Sequence, residues 1–486
     1  MKPPSHDLTL GIAETHFKSA FQCCHNPFSA GGGREKIKVT QLIFAAANAA
    51  MLALAMSGSA RADDAPPTIG APDCKVVNRH PMPNERAAWS GGCRDGMADG
   101  EGVLELFSGD KLGMRIAGRL RAGVPEGLLV LDSDLMHIHY EGALVAEYFD
   151  GPGTLVQPDR VRLIARFVKG EPEGDVDAVM PDGEHYHGQW KAWHAEGRGE
   201  AILRDGTRIT GDFHQGQPDG PVVAVLGDGT LRGVWKAGRQ SGAIVMDLPR
   251  HVHYEGDAQD LNLEGEGVMT YADGAVYRGS WVAGKRQGQG TLTDARGRLV
   301  YAGGFRNDHY DGQGRLLCDD GAWYEGTLSD GRRKGHGRMT GPSGVMDGEF
   351  SDDPQEFRGV FVELGGRRTE GRWVNWHFEG EMVVTTPELV RRAVYHGGQL
   401  DGASDSRFAS GVHVTETYLA GVLEGAFREE WPDGSSTRGQ YRAGLKDGDW
   451  ESIDGAGRIS HAQFLHGDDV TPVPDPRAVQ GASLAS

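Results

Sequence analysis

The sequence predicts an all-β protein, an elongated single-layer antiparallel β-hairpin solenoid of about 16 repeats. A Gly-rich pattern returns about every 23 residues, large apolar residues alternate with the period of a β-strand, and Gly recurs at fixed places in each repeat. The chain has 74 Gly in 486 residues, so chance would place about two or three Gly in any one column of 16 repeats. Two of the columns hold far more Gly than this, so the overall Gly content does not explain the pattern.

One clear copy of the pattern runs from Tyr277 to Leu292. Its frame holds an aromatic ring, Gly, a second ring and three further Gly at offsets 0, 2, 4, 7, 11 and 13 from its first residue. Gly fills offset 2 in 14 of 16 copies and offset 11 in 14 of 16. The spacing is irregular near the first copy and around Tyr395, and a truncated copy begins at Ser460. The full copies begin at Trp89, Ile116, Tyr140, Leu163, Tyr186, Ile209, Leu231, Tyr254, Tyr277, Tyr301, Tyr324, Met346, Thr369, Tyr395, Val414 and Thr437.

Each copy is predicted to be a hairpin. Offsets 0, 2 and 4 lie on one face of a strand, so two rings flank a Gly in a row. The Gly at offset 7 stands where the chain reverses, because Gly adopts positive φ without a Cβ clash. Gly at offsets 11 and 13 begins the returning strand and leaves room for a ring on bare backbone. A single hairpin cannot bury this apolar row, so neighbouring copies must cover it.

The frame resembles the MORN repeat (membrane occupation and recognition nexus), whose signature Tyr-x-Gly-x-Trp-x-x-Gly-x-x-x-Gly-x-Gly matches residues 277–290 at every position. The resemblance spans about Trp89 to Gly467. It implies a long twisted antiparallel sheet with an aromatic-lined groove along one face, which in this family holds partner segments or pairs with another array. The copies that lack Gly at offset 7 carry Glu147, Trp193, Leu261, Asp308, Asp353 and Trp376 there, which leaves their turn geometry open.

The N-terminal segment reads as an export signal. Basic residues (Arg34, Lys36 and Lys38) precede an apolar stretch over 39–56, and Ala-x-Ala follows. This order is typical of a secretory signal peptide cleaved between Ala62 and Asp63, with residues 1–33 as an over-long extension. An uncleaved membrane anchor is the alternative. The predicted organisation is a signal segment over 1–62, a Pro-rich cap over 63–88, the repeat array over 89–467 and a disordered tail over 468–486.

The mature chain is predicted to be exported, to the periplasm or outside the cell, and strongly acidic. Residues 1–62 hold six Lys/Arg and three Asp/Glu of the chain's 50 and 69, which leaves 44 basic and 66 acidic residues and a net charge of −22. Such a charge disfavours nucleic acid and anionic lipid as partners.

Two cysteines near the start of the array are predicted to form a disulfide. Cys93 occupies offset 4 of the first copy, and Cys74 lies 19 residues upstream in the Pro-rich cap. Because an exported protein meets an oxidising compartment, we expect a Cys74–Cys93 bond that fixes the cap across the end of the sheet. Two buried free thiols are the alternative.

No motif in the chain indicates catalysis or a cofactor. The Gly-x-Gly pairs at offsets 11 and 13 lack the third Gly and the following helix of a nucleotide-binding loop. Asp-Gly pairs such as Asp273-Gly274 are turn residues at a 23-residue period, whereas calcium-binding repeats have a period of nine. The chain contains neither Gly-x-Ser-x-Gly nor His-Glu-x-x-His. We therefore expect a non-enzymatic protein with no cofactor.

Histidines at i and i+2 are candidate metal ligands, because two such residues on one strand face the same way. The pairs are His137 with His139, His185 with His187, and His251 with His253. Their odd offsets predict exposure on the face opposite the rings, and the expectation is that they hold no metal.

The predicted function is a non-enzymatic exported scaffold that binds a protein or peptide partner along the aromatic-lined groove, or a second copy of itself. The alternative is a carbohydrate or cell-wall binding module, since rows of exposed rings stack on sugars. Ring exposure distinguishes the two, because inter-repeat packing would bury the rings. The candidate partner-binding residues are Tyr186, Trp190, Tyr254, Tyr277, Trp281, Tyr301, Phe305 and Tyr324.

Overall fold

The computed structural model describes residues 67–79, 84–134, 137–145, 148–157, 161–352 and 355–472. Within these ranges nearly all regular structure is β-strand, and the single helical element is a 3-10 turn at Pro249–His251. In the described part of the chain, residues 67–274 with 282–284 form one compact unit, and 275–281 with 285–472 form the other. In each unit successive strands pair antiparallel in chain order, which confirms the predicted β-hairpin solenoid.

The first unit contains a four-stranded sheet of short strands, in the order β1-β2-β5-β4, and a sheet of consecutive hairpins that begins with β3 paired to β6. Its strands are β1 Thr68–Ala71, β2 Cys74–Val77, β3 Glu85–Trp89, β4 Cys93–Arg94, β5 Met97–Ala98, β6 Gly100–Ser108, β7 Lys111–Arg121, β8 Val124–Ser133, β9 Ile138–Val145, β10 Tyr148–Val156, β11 Arg162–Val168, β12 Glu171–Val179, β13 His185–Lys191, β14 His194–Ile202, β15 Arg208–His214, β16 Gln217–Leu226, β17 Gly229–Lys236, β18 Arg239–Leu248, β19 Val252–Gln259 and β20 Asn262–Thr270.

The second unit is a sheet of consecutive hairpins that ends in a very short strand. Its strands are β21 Val276–Val282, β22 Lys285–Thr293, β23 Leu299–Arg306, β24 His309–Leu317, β25 Trp323–Ser329, β26 Arg332–Gly341, β27 Gly344–Asp352, β28 Gln355–Glu363, β29 Arg368–Val374, β30 His377–Thr385, β31 Leu389–His396, β32 Gln399–Phe408, β33 His413–Leu419, β34 Val422–Glu430, β35 Ser436–Arg442, β36 Leu445–Ile453, β37 Ile459–Leu465 and β38 Asp468–Asp469.

The hairpin turns occupy offsets 6 and 7, and where both turn residues are described, both have positive φ. Ala283 and Gly284, for example, have φ of 50° and 73°. Positive φ at both central residues is the type I′ turn, whose twist matches that of the flanking strands. The copies without Gly at offset 7 keep this geometry where they are described: Trp193, Leu261, Asp308 and Trp376 have φ between 64° and 73°. Glu147 and Asp353 lie outside the described residues.

The Gly at offset 11 lies where the two strands of a hairpin change register. In β23 and β24 the pairing passes from Gly303↔Gly314 to Phe305↔Tyr310, and Gly312 between them has φ of +94°. Every Gly at this offset has φ between +69° and +128°. In one copy Phe357 takes this place, and there β27 and β28 pair from end to end without a shift. Offset 11 therefore needs Gly for its backbone conformation.

Cross-strand register corrects one copy of the predicted frame. Tyr395 pairs with Gly380, an offset-11 Gly, just as the offset-4 residue Phe305 pairs with the offset-11 Gly288. Tyr395 is therefore an offset-4 residue, and the copy begins at Arg391. The preceding and following spacings become 22 and 23 residues, so the apparent irregularity arose from aligning on the aromatic ring.

The N-terminal cap contacts the first two copies of the array. β2 pairs with β5 in parallel, and the nitrogen of Val77 donates to the carbonyl of Gly123 at 2.9 Å. Cys74 and Cys93 form a disulfide with Cα atoms 5.5 Å apart, which confirms that predicted bond. The bond links β2 to β4 across the four-stranded sheet.

Candidate functional site

The predicted partner-binding rings lie almost entirely inside the protein. The face of each sheet that carries offsets 0, 4, 13 and 15 is called the ring face, and the opposite face is called the outer face. Seven of the eight candidate side chains are buried there, and Trp281, at 4 % exposure, is the least buried of the seven; Trp190 is half-buried. The buried seven are Tyr186, Tyr254, Tyr277, Trp281, Tyr301, Phe305 and Tyr324.

Rings of successive copies pack edge to face and cover one another. The Tyr277 ring lies 5.2 Å from Trp281 of its own copy and 5.0 Å from Phe305 of the next, with the planes nearly perpendicular. The Tyr301 ring lies 5.1 Å from Phe305. Such contacts stabilise adjacent hairpins beyond their apolar burial alone. In this structure the rings therefore pack between repeats, and their use as a groove surface stays a prediction.

The sizes of the residues at offsets 0 and 13 are complementary: a large ring at offset 0 occurs with Gly at offset 13, and a smaller residue at offset 0 occurs with a larger one at offset 13. All six copies that begin with Tyr have Gly at offset 13, as in Tyr301 and Gly314. A Cβ on Gly314 would lie 2.4 Å from the Tyr301 hydroxyl oxygen. Copies that begin with Ile, Leu, Val or Thr instead place a larger apolar residue at offset 13, such as Leu129 after Ile116. The pair conserves volume within the layer.

Two copies replace the apolar offset-9 residue with Arg. Arg286 Nε lies 3.3 Å from Asp308 Oδ1, and its guanidinium lies 5.3 Å from the centre of the Phe305 ring. Arg333 is fully buried and lies 2.7 Å from Asp352. This pairing explains why Asp308 replaces Gly at offset 7 of its turn, because its carboxylate offsets the buried Arg286 charge.

A row of carboxylates along the turn edge was missed by sequence reasoning. Offset 10 holds Asp or Glu in 13 of 16 copies, with the corrected frame. The side chain accepts a hydrogen bond from the offset-6 nitrogen of the next copy, as Glu264 does from Ala283 at 2.8 Å. Backbone hydrogen bonds of this kind hold the pKa of Glu196 and Glu379 below the usual value. The acidic column at offset 10 was the available signal.

The predicted histidine pairs do not converge on a common ligand. His137 and His251 lie outside the strands with positive φ, whereas His139, His187 and His253 lie on the outer face. His187 Nδ1 is 2.7 Å from Asp177, and His253 Nδ1 is 2.7 Å from Asp247. Among the described residues no group of three or more His, Cys, Asp and Glu side chains has the arrangement of a metal site.

The outer face of the first unit exposes alternating aliphatic and basic side chains. These residues lie directly opposite one another on successive strands from β10 to β16. Val179 and Val225 are 40 % and 38 % exposed. The set is called the outer strip and consists of Val156, Arg162, Val179, His185, Ile202, Arg208 and Val225.

A protein-family profile matches the middle of the array. A profile described as the MORN repeat matches residues 262–276, 277–297, 301–323 and 324–346. These four matches follow the same frame and the same hairpins as the rest of the array. The chain contains MORN repeats.

Solved structures resemble the MORN array only weakly. The TCP10 domain of Danio rerio CPAP is 15% identical, with a TM-score of 0.18, over 47% of this chain and 99% of that domain. The G-box domain of the microcephaly protein CPAP is 15% identical, with a TM-score of 0.19, over 46% and 99%. Streptogramin B lyase is 7% identical, with a TM-score of 0.12, over 51% and 80%. No curated protein sequence matches the chain.

The MORN frame breaks down in the copy that begins at Arg391. There the ring face carries a guanidinium at offset 0 and hydroxyl groups beside the Tyr395 ring, with Ser404 at offset 13 and Ser406 at offset 15. Arg391 Nε donates to Ser406 Oγ at 2.9 Å. In the following copy Glu416 replaces the offset-2 Gly and accepts a hydrogen bond from the Tyr418 hydroxyl at 2.8 Å. This polar cluster was also missed, because the sequence frame aligned the copy on Tyr395.

The predicted signal cleavage site, Ala62 and Asp63, lies outside the described residues. A search of the described MORN array and cap finds no helix with the length and apolar character needed to cross a membrane.

Proposed function

We propose that this MORN protein is an exported, non-enzymatic scaffold that binds a protein or peptide partner, and that the contact lies on the outer strip. The observation that supports this most directly is the exposure of Val179 and Val225, at 40 % and 38 %, next to basic side chains of the neighbouring strands. Exposed apolar side chains that follow one another across several strands are typical of interaction surfaces.

The burial of the rings guides where the contact is placed. A partner in the aromatic groove would first have to separate the Tyr277 ring from those of Trp281 and Phe305, which lie 5.2 and 5.0 Å from it. The outer strip requires no such rearrangement, and rigid docking on a preformed face costs less free energy than binding that reorganises a core. Self-association through the same strip is the second form of this proposal.

Export of the protein is proposed on two grounds. The N-terminal segment has the order of a signal peptide with cleavage after Ala62. The Cys74–Cys93 disulfide fits an oxidising compartment such as a periplasm or the outside of a cell. The mass of the mature protein isolated from the cell envelope tests this proposal, since cleavage leaves Asp63 as the first residue.

The charge of the molecule bears on the class of partner. The carboxylates at offset 10 form an acidic edge beside the turns, and the mature chain is predicted to carry a net charge of −22. Nucleic acid and anionic lipid are repelled by such a surface. A protein partner remains the proposal, with apolar side chains facing the strip's valines and a carboxylate facing Arg162, since Arg208 already pairs with Glu200.

Carbohydrate binding is the second candidate from the sequence, and its discriminating feature is ring exposure. The rings that would stack on a sugar are buried, apart from the half-buried Trp190. The proposal therefore gives priority to a protein partner.

The experiment is crosslinking and affinity capture with the chain from Asp63 to Ser486 in the native envelope, followed by mass spectrometry. We expect one stoichiometric protein, with crosslinks that map to the outer strip. The test variant carries Val179→Lys and Val225→Lys. The matched control carries Val362→Lys and Val390→Lys, which change two equally exposed valines (39 % and 37 %) in the other unit by the same charge.

Loss of capture in the strip variant alone would support the proposal. Equal capture by the strip variant and the control would contradict the placement on the strip. Retention on wall or glycan material without any protein partner would contradict the scaffold and favour carbohydrate binding.

A further inference from the structure

We propose that Arg391, Tyr395 and Ser404 form a binding site for an oxyanion, a carboxylate or phosphate group, on the ring face of the second unit. The proposal does not depend on the outer strip or on the identity of a protein partner.

The site arises where one copy departs from the composition of all the others. At offset 0 the other 15 copies place an aromatic or aliphatic residue or Thr, whereas this copy places Arg391. At offset 13 the others place Gly or an apolar residue, whereas this copy places Ser404. The two positions that in most other copies hold an apolar side chain and the Gly or apolar residue packed against it thus carry a cation and a hydroxyl in this copy.

The buried hydroxyl groups of the site have no internal acceptor. Tyr395 and Ser404 are each 2 % exposed, and within the described residues neither hydroxyl has an acceptor, although the Arg391 side chain lies close enough to donate to Tyr395 Oη. Buried polar groups in native proteins are nearly always hydrogen-bonded, because an unmade bond leaves the desolvation of the group uncompensated. A ligand that supplies acceptors would satisfy both hydroxyls.

The guanidinium of the site also lacks a carboxylate. Arg391 donates through Nε to Ser406 Oγ, and within the described part of the chain it makes no ion pair. The other two arginines on the ring face of this unit, Arg286 and Arg333, each lie against an aspartate, at 3.3 and 2.7 Å. Arg391 lies at offset 0 rather than at offset 9, and its half-buried guanidinium, which has no carboxylate partner, favours an anion beside it.

The electrostatics around Tyr395 point the same way. Burial raises the pKa of Tyr395, and the positive charges of Arg391 and Arg367 oppose that rise. Both guanidinium groups are thus near the Tyr395 hydroxyl. The nearest acids have other contacts: Glu416 accepts from Tyr418, and Glu363 lies 3.7 Å from Arg367. Because both carboxylates already contact other side chains, the Arg391 guanidinium and the two hydroxyls remain as donors without a carboxylate, which favours an oxyanion over a cation.

The test measures the thermal unfolding midpoint of the chain from Asp63 to Ser486 against sodium acetate and sodium phosphate, with sodium chloride at matched ionic strength as the reference. We expect a saturable rise with acetate, phosphate or both that chloride does not give. Arg391→Gln should raise the half-saturating concentration at least tenfold. The matched control is Arg392→Gln, because Arg392 is the next residue in β31 and lies exposed on the outer face.

A second variant keeps the shape of the site and both charges, so that a general loss of stability cannot imitate the result. Tyr395→Phe combined with Ser404→Ala removes only the two hydroxyls and should also weaken the response at least tenfold. A response to acetate alone identifies a carboxylate ligand, and a response to phosphate alone identifies a phosphoryl group. No anion-specific response, or an equal response in Arg391→Gln and Arg392→Gln, would overturn the proposal.

Discussion

The Tyr301 hydroxyl donates a hydrogen bond to the backbone carbonyl of Gly304, 2.8 Å away, where the register of β23 and β24 shifts. The same bond, from offset 0 to the carbonyl at offset 3, occurs in all six copies that begin with Tyr, at 2.7 to 3.0 Å. The shift leaves this carbonyl outside the regular ladder, and the hydroxyl satisfies it. The frame therefore uses Tyr for a hydrogen bond as well as for a ring.

Tyr301→Phe removes that hydroxyl and leaves the ring in place. We expect a loss of about 1–2 kcal/mol in the free energy of unfolding, because a buried carbonyl loses its donor. Urea unfolding measures the loss, and amide exchange should locate it in β23 and β24. Tyr148→Phe, at an exposed tyrosine, is the control and should change stability by less than about 0.5 kcal/mol. Equal effects of the two variants would show that the bond contributes nothing.

Gly314→Ala tests the close approach of the Tyr301 ring to the backbone. The added Cβ would lie 2.4 Å from the hydroxyl oxygen and 2.5 Å from Cε2, so the ring must move. We expect a destabilisation of about 1–3 kcal/mol from overpacking. Gly365→Ala is the matched control in the same unit, since no atom lies within 4 Å of its added Cβ. A neutral Gly314→Ala would mean that the ring is not held against the strand.

Substitutions at Gly312 test whether offset 11 requires a residue that adopts positive φ, because an added Cβ there makes no close contact. Its φ is +94°, and an added Cβ meets nothing within 4 Å. Gly312→Val should therefore cost about 1–3 kcal/mol, with backbone strain at positive φ as the main cause. Gly312→Asn should cost less than Gly312→Val, because Asn tolerates positive φ better than a β-branched residue does. Chemical denaturation of the two variants side by side gives the order, and the reverse order would refute a conformational origin.

The disulfide predicts a stability difference confined to one end of the first unit. For a loop of 19 residues, the Cys74–Cys93 bond is expected to contribute about 3 kcal/mol in the chain-entropy description. Because repeats contact mainly their neighbours, Cys93→Ser should increase amide exchange in β1 to β6 and leave the second unit unchanged. Exchange measured by mass spectrometry reports both regions at once. A uniform increase along the whole chain would contradict a local effect.

The hydrogen bonds of His139 predict that the stability of the protein falls as the pH rises. Its Nδ1 and Nε2 lie 2.6 Å from Asp132 and 3.1 Å from Glu141, and these hydrogen bonds raise the pKa of His139 above 6.5. A raised pKa in the folded state stabilises the protein fully below the unfolded value near 6.5. The contribution is lost as the pH rises through the folded value.

The check on His139 is an NMR titration of its ring together with unfolding midpoints from pH 5 to pH 9. Asp132→Asn with Glu141→Gln should bring the pKa back toward its ordinary value. The fall in stability between the two pKa values should disappear in the same variant. An unchanged ring titration would show that the two carboxylates do not act on His139.

The repeat and its turns could be predicted from the sequence alone, because both depend on local chemistry. Gly at offset 7 needs positive φ whatever surrounds it, and the alternation of offsets 0, 2 and 4 assigns a face to each strand. Offset 11 was assigned to ring contact, whereas Gly312 and its equivalents are needed for a register shift. That shift depends on how two strands pair, which no single strand specifies.

Features that join neighbouring copies were harder to predict. The burial of Tyr277 depends on Phe305 of the next copy, and the hydrogen bond from Ala283 to Glu264 also crosses a copy boundary. The copy at Arg391 was misaligned because the sequence frame followed the ring of Tyr395, whereas register follows the backbone. The polar cluster became visible only once that register was known.

Hydroxyl-radical footprinting of the mature chain, alone and in the captured complex, tests most directly that the rings are core and the outer strip is the contact surface. In the free chain we expect Val179, His185 and Val225 to be modified, and Trp281 and Tyr301 to be protected. In the complex the strip should become protected while the rings do not change. Modification of Trp281 and Tyr301 in the free chain, followed by their protection in the complex, would contradict this and assign the contact to the aromatic groove.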